Sequence, residues 1–134
     1  MAAQGTSLNS KKGICYCQYS FAVDGGAMAA IVVPCSPIPS GSIITNGVIH
    51  VTTALTSGGS ATIAVMCEGA NDIIAATAVA SYSIGAMLDV VPDGTATNFV
   101  LTTSNIESLT VTVGTATLLT GIMNIMLEYF PPVG

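Results

Sequence analysis

The side chains best suited to chemistry in this 134-residue chain are four cysteines, one histidine and seven carboxylates. Cys15 and Cys17 form a C-x-C pair, while Cys35, Cys67 and His50 are scattered. A structural zinc site is usually built from two close pairs, and only one is present. The spacing therefore predicts packing residues, small buried hydrophobes, with Cys15 and Cys17 on the same face of a strand. Disulfides are unforced in a chain made in a reducing cytoplasm. His50 lies between Ile49 and Val51 in a strand pattern, and no G-x-S-x-G elbow offers it a nucleophile. Its position suits a sheet or an interface contact. The carboxylate pairs Glu68/Asp72 and Asp89/Asp93 flank turns, where solvating the turn is the ordinary role of such groups. "SGGSA" leads from one strand into another, so no helix N-terminus follows it to hold a phosphate. These residues describe a binding or structural protein rather than an enzyme, with no metal and no cofactor.

The charge balance narrows the partners. Net charge is −5, with two lysines and no arginine, so phosphate neutralisation of the kind nucleic-acid binders use is not available. Charged residues make up 7% of the chain, against about 25% in an ordinary domain. A folded monomer of this size exposes roughly 6,500 Å², on the order of 700 Å² per charge. Apolar patches on monomers seldom exceed about 300–600 Å². Ser and Thr must cover much of the exterior, and another chain must cover part of it. Mean hydropathy is +0.74, yet Ser, Thr, Gly or Asn interrupts each apolar run before it reaches the ~20 residues of a spanning helix. The N-terminus lacks the order of a secretory signal. The expectation is a soluble protein, made in a cytoplasm, that engages neither membrane nor nucleic acid.

The elements that must position these residues read as strands. "KKGICYCQYSFAVDGGAMAAIVVP" is a hairpin around Asp24-Gly25-Gly26, its second strand ending at Pro34. "CSPIPSGS" is a loop, since Pro37 and Pro39 do not suit a sheet centre. "IITNGVIHVTTAL" is a strand with a bulge or turn at Asn46-Gly47. After Gly58-Gly59, Ala61, Ile63, Val65 and Cys67 share one face of the next strand. Alanine-rich residues 71–80 predict a short helix or helical turn capped by Asn71 or Asp72. Strands return in "GAMLDVV", "TNFVLTT", "SLTVTVG" and "GIMNIMLEYF". About eight short strands with Gly- and Pro-rich turns predict an all-β domain, a two-sheet β-sandwich or a barrel. Residues 1–20 read as an N-terminal arm and the start of the first strand, and residues 21–134 as the domain. Thr- and Val-rich strands with few gatekeeping charges would aggregate at an open edge, so copies of the chain are the economical cover.

"FAVDGGAMAAIVV" (21–33), "IPSGSIITNGVIHVTTALTSGGSATIAV" (38–65), "NDIIAATAVAS" (71–81) and "SLTVTVGTATLLTGIMNIMLEYF" (108–130) together resemble the capsid decoration, or cement, proteins of tailed bacteriophages. The chain departs from that pattern at Ile122, where Lys or Arg often follows the "LT-G" turn. The resemblance carries no catalytic motif. It implies a jelly-roll-like β-sandwich that assembles as a homotrimer on the outer surface of a virion head and stabilises contacts between major capsid protein subunits. Lys11, Lys12, Tyr16 and Tyr19, in and beside the arm, are the candidate capsid contacts. The alternative is a receptor- or glycan-binding head on a fibre or tail. That role usually presents an exposed Trp or Tyr; the chain has no Trp, and only Tyr82 falls in a loop by this reading.

Overall fold

The computed structural model describes residues 12–92 and 99–132. Alternation of apolar and polar side chains runs through almost every segment, and the structure answers with strands. In chain order these are β1 (Gly13–Ser20), β2 (Ala30–Ile38), β3 (Ile43–Ser57), β4 (Thr62–Met66), β5 (Ile74–Ala78), β6 (Met87–Asp89), β7 (Val100–Leu101), β8 (Ile106–Gly114) and β9 (Leu118–Phe130). One helical turn, α1 (Phe21–Asp24), and a 3-10 turn at Val79–Ser81 interrupt them. The fold is all-β and sandwich-like, as the strand spacing predicted. No described helix is long and apolar enough to cross a membrane.

The strands form one curled antiparallel sheet in the order β5-β4-β8-β2-β1-β9-β3-β6, with β7 beside β3. It behaves as two half-sheets, β1-β9-β3-β6/β7 and β2-β8-β4-β5. They join where β1 meets β2, in register at the single pair Cys17–Cys35. Their inner faces enclose the core. Cys15, Cys17 and Tyr19 of β1, Ile49 and Val51 of β3, Ile63 and Val65 of β4, Leu109 and Val111 of β8 and Met123, Ile125 and Leu127 of β9 are all buried in it. Consecutive strands mostly lie in different halves. The Gly58-Gly59 turn is therefore no hairpin: β3 pairs with β9, and β4 pairs with β5 and β8.

Three local expectations change. Residues 74–78 are strand β5, not helix. Asn71 adopts a left-handed φ of 64°, which starts no helix, and the Asp72 carboxylate reaches back to earlier amides instead of capping forward. Five residues that satisfy their backbone against β4 outweigh the modest helix preference of alanine. The helical turn falls instead at Phe21–Asp24, so β1 and β2 are joined by a wider connection than a tight Asp-Gly turn. Strand β2 continues through Pro37 to Ile38, and its register against β8 shifts between Pro34 and Ile38 where the prolines offer no N–H. A bulge is present one residue earlier than the expected Asn46-Gly47: the register against β9 shifts between Ile44 and Asn46, so Thr45 is the extra residue, and Gly47 pairs regularly with Leu127. A side chain at Gly47 would run into the Met126 carbonyl oxygen.

The turn from β8 to β9 holds a strained residue. Thr115 has φ 73° while the Ala116 amide donates to the Gly114 carbonyl at 2.8 Å, a γ-turn that a β-branched residue adopts at a cost of about 1–3 kcal/mol. Thr115 is exposed. Thr115→Gly is therefore expected to stabilise the chain by about 1 kcal/mol, after the larger unfolded-state entropy of glycine is deducted. Thermal melting should show Tm higher by roughly 3–4 °C; an unchanged or lower Tm would mean that the turn is unstrained.

Candidate functional site

The outer face of β1, β9, β3 and β6 is set by the same alternation that builds the core. Facing away from Met123, Ile125 and Leu127, strand β9 presents Ile122, Asn124, Met126, Glu128 and Phe130. Register aligns these in rows across the sheet. Ile14 of β1 lies beside Glu128, and Glu128 beside Asn46 of β3. Tyr16 lies beside Met126, then Val48 and Asp89. Gln18 lies beside Asn124, then His50 and Met87. Leu101 of β7 and Phe130 flank Ile43 at one end.

Much of this face is apolar and in contact with water: Ile14 is 57% exposed, Leu101 60% and Met87 71%. Charge is sparse, and the carboxylate on the middle strand, Glu128, is paired. Lys12 pairs with Glu128 at 3.5 Å and lies 5.1 Å from the centre of the Phe130 ring; Asp89 stands on edge strand β6. The centre holds neutral polar groups already tied to one another. The Tyr16 hydroxyl and the Gln18 amide both donate to Asn124 Oδ1, at 2.8 and 2.9 Å. Beside it lies a depression of about 390 Å³ lined by Ile14, Asn46, Gly47, Val48, Met126 and Glu128 among others. A largely apolar face with a fixed hydrogen-bonded centre and few charges has the anatomy of a protein–protein interface.

The structure separates the four expected contact residues. Tyr16 stands in this face, 47% exposed. Lys12 is at its rim but is engaged by the chain's own Glu128, an exposed pair of the kind that contributes little. Lys11 lies outside the described residues. Tyr19 does not reach the surface: strand parity turns it inward with Cys15 and Cys17, and its hydroxyl donates to the Gly25 carbonyl at 2.5 Å. Burial, and then the charge of Asp24, push its pKa up to about 12. Tyr82, expected in a loop, is also fully buried and donates to the Ile63 carbonyl at 3.3 Å, so it offers no platform for a sugar. Asn124, Met126, Val48 and Gln18 had no place among the expected contacts. The alternation in "GIMNIMLEYF" contains them, as the set opposite the buried one.

The remaining candidates for chemistry hold the fold. His50 is flanked in register by Asn124 and Met87, with no carboxylate opposite it. Asp72 accepts hydrogen bonds from the amides of Cys67, Glu68 and Gly69 at 2.6, 3.0 and 2.8 Å, closing the β4–β5 turn. Glu68 accepts from the backbone and hydroxyls of Thr103 and Ser104, tying the loop before β8 to the same turn. Burial opposes the charge on Glu68, but those hydrogen bonds outweigh it and hold the carboxyl below its ordinary value. Asp93 lies outside the described residues. Among the described residues, no three His, Cys, Asp or Glu side chains form a group that could hold a metal ion.

No family model and no curated protein sequence matches this chain. Solved structures do. A chain of the cyanophage Pam1 capsid asymmetric unit superposes with a TM-score of 0.69 at 17% identity, over 98% of this chain and 93% of that one. A chain in the acidic stable capsid structure of Helicobacter pylori bacteriophage KHP30 gives 0.61 at 15% identity, over 93% and 91%. A chain in the capsid of Ralstonia phage GP4 gives 0.61 at 15% identity, over 91% and 86%. At these identities what is shared is the fold, over at least 91% of this chain.

Proposed function

We propose that this chain is a structural component of a tailed-phage virion. In this reading it is a decoration protein that binds the outer surface of the head as a homotrimer, stabilises contacts between major capsid protein subunits, and has no enzymatic role. The observation that carries the proposal is the near-complete overlap of this fold with chains found in three phage capsid structures. The outer face of β1, β9, β3 and β6 supports it. A standard interface takes about 800 Å² from each partner, roughly an eighth of the accessible surface of 6593 Å². Binding there stabilises the shell by mass action, because the protein adheres to the assembled state and not to free subunits.

Light scattering of the purified protein, followed by co-sedimentation with heads that lack it, tests both parts. The expected result is three times the monomer mass, and stoichiometric recovery with the heads. A monomer that stays in the supernatant would overturn the reading. Recovery with host cells instead of heads would favour a receptor-binding head.

A further inference from the structure

Two features stand on opposite margins of the β1-β9-β3-β6 half-sheet. On the β1 side, where the half-sheets join at one registered pair, the outer surface holds a groove of about 380 Å³. Gln18 and Ser20 of β1, Val23 and Asp24 of α1, and Pro34 and Cys35 of β2 line it, among others. Val23 on its wall is 83% exposed. Asp24, the charged residue of the lining, already accepts from the Ser20 amide at 2.9 Å.

On the β3 side, residues 83–86 form a turn beside edge strand β6. The Ala86 amide donates to the Ser83 carbonyl at 3.0 Å, and Gly85 takes φ 81°, the positive value that the third residue of a type II turn requires. A Cβ at Gly85 would meet nothing, so the turn stands clear of the molecule. Ile84 is 73% exposed at its tip, and Met87 follows it, equally open. The base of the turn is clipped to β3: the Gly85 amide donates to the Val51 carbonyl at 2.8 Å, and the Val51 amide to the Ala86 carbonyl at 2.9 Å. Residues 79–88 carry no charge. The turn is a pre-organised apolar knob that loses little freedom when covered. Register sets knob and groove at one height. Gln18 in the groove pairs with Asn124, Asn124 with His50, and His50 with Met87 beside the knob.

We propose that the knob of one copy, Ile84 with Met87, seats in the groove of the next, against Val23 and Pro34, and that this contact holds the homotrimer together. It rests on the homotrimer reading above. Knob and groove end the same row, so a chain cannot fill its own groove, whereas a second copy presents the missing half. A contact between two different surfaces of identical chains forms a ring when its rotation closes, and a closed ring of three leaves no knob or groove unfilled. The knob brings no charge, and the groove has none to strip of water beyond the Asp24 carboxylate. Covering Met87 also shields β6, one open end of the sheet. Val48 and Met126 lie outside the contact and stay available to the head.

The test is light scattering of the full chain and of two variants at exposed sites, Ile84→Asp in the knob and Val23→Asp in the groove wall, with melting curves to establish folding. The unaltered chain is expected at three times the monomer mass. Each variant alone should be a monomer, needing roughly 30-fold or more protein to assemble. Mixed in equal amounts, the two should form pairs and nothing larger, because the sound knob of Val23→Asp fits the sound groove of Ile84→Asp. Should one variant fail to fold, the other still decides, since the contact needs both halves. A trimer that survives either substitution, or a mixture that stays monomeric, would overturn this contact and leave the homotrimer standing. An unaltered chain of monomer or dimer mass would overturn the homotrimer reading and this contact with it.

Discussion

Met126→Asp is expected to leave the chain folded and to weaken its binding to virion heads by roughly 30-fold or more. Met126 lies in the middle row of the outer face, between Tyr16 and Val48. No charged group in that row is closer than Asp89 on the edge strand. A carboxylate placed there must be stripped of water when a partner covers the face, and the neighbouring Lys12 is already paired with Glu128. Central, fully desolvated positions carry most of an interface's energy, and losses of about 2 kcal/mol or more are usual there. At 1.4 kcal/mol per tenfold, that is the effect stated. The control is Thr112→Asp, an exposed site on β8 in the other half-sheet, which should bind as the unaltered chain does. Equilibrium co-sedimentation measures both, with melting curves to establish that each variant is folded. Full binding by Met126→Asp, or loss in Thr112→Asp alone, would move the interface off this face.

Asp72→Ala should lower stability by about 3 kcal/mol, a fall in Tm of roughly 10 °C. One buried carboxylate satisfies three consecutive amides at the end of β4, each hydrogen bond at 3.0 Å or less. Alanine would leave all three donors in a turn that water only partly reaches. Hydrogen bonds to charged groups contribute about 1.5–3 kcal/mol each, but three sharing one acceptor do not add fully. The same turn carries Glu68, which anchors Thr103 and Ser104, so loosening it frees the loop before β8 as well. Asp72→Asn, which keeps one acceptor oxygen, should fall between the two. Urea unfolding of the three chains gives the comparison, and a loss below 1 kcal/mol for Asp72→Ala would show that water replaces the carboxylate at little cost.

Legibility in the sequence followed the range of the interaction. Alternation is local, so Ala61, Ile63 and Val65 were assigned to one buried face correctly, and Cys15 and Cys17 to one side of their strand. The bulge was legible to within one residue: Asn46 and Gly47 drew attention to the spot, and the register shift falls just before them, at Thr45. Strand β5 was not. Its alanines favour a helix in isolation, and only pairing with β4 makes them extended. Tyr19 shows the limit within one strand. Its parity with Cys15 and Cys17 was available, but grouping it with the arm placed it at the surface, whereas β1 lies between β2 and β9 in the middle of the sheet.

By itself, then, the sequence determined an all-β chain with a surface poor in charge, because composition and period-two patterning act residue by residue. Which strands pair was left to the tertiary structure. Six of the eight connections between described strands cross from one half-sheet to the other, so neighbours in sequence are mostly not neighbours in the sheet. The outer face exists only because β1, β3 and β9, separated by up to about a hundred residues, satisfy their backbone hydrogen bonds with one another. The seam between the half-sheets has the same origin: Cys17 and Cys35, eighteen positions apart, are register partners only because β2 returns beside β1 after the connection through α1.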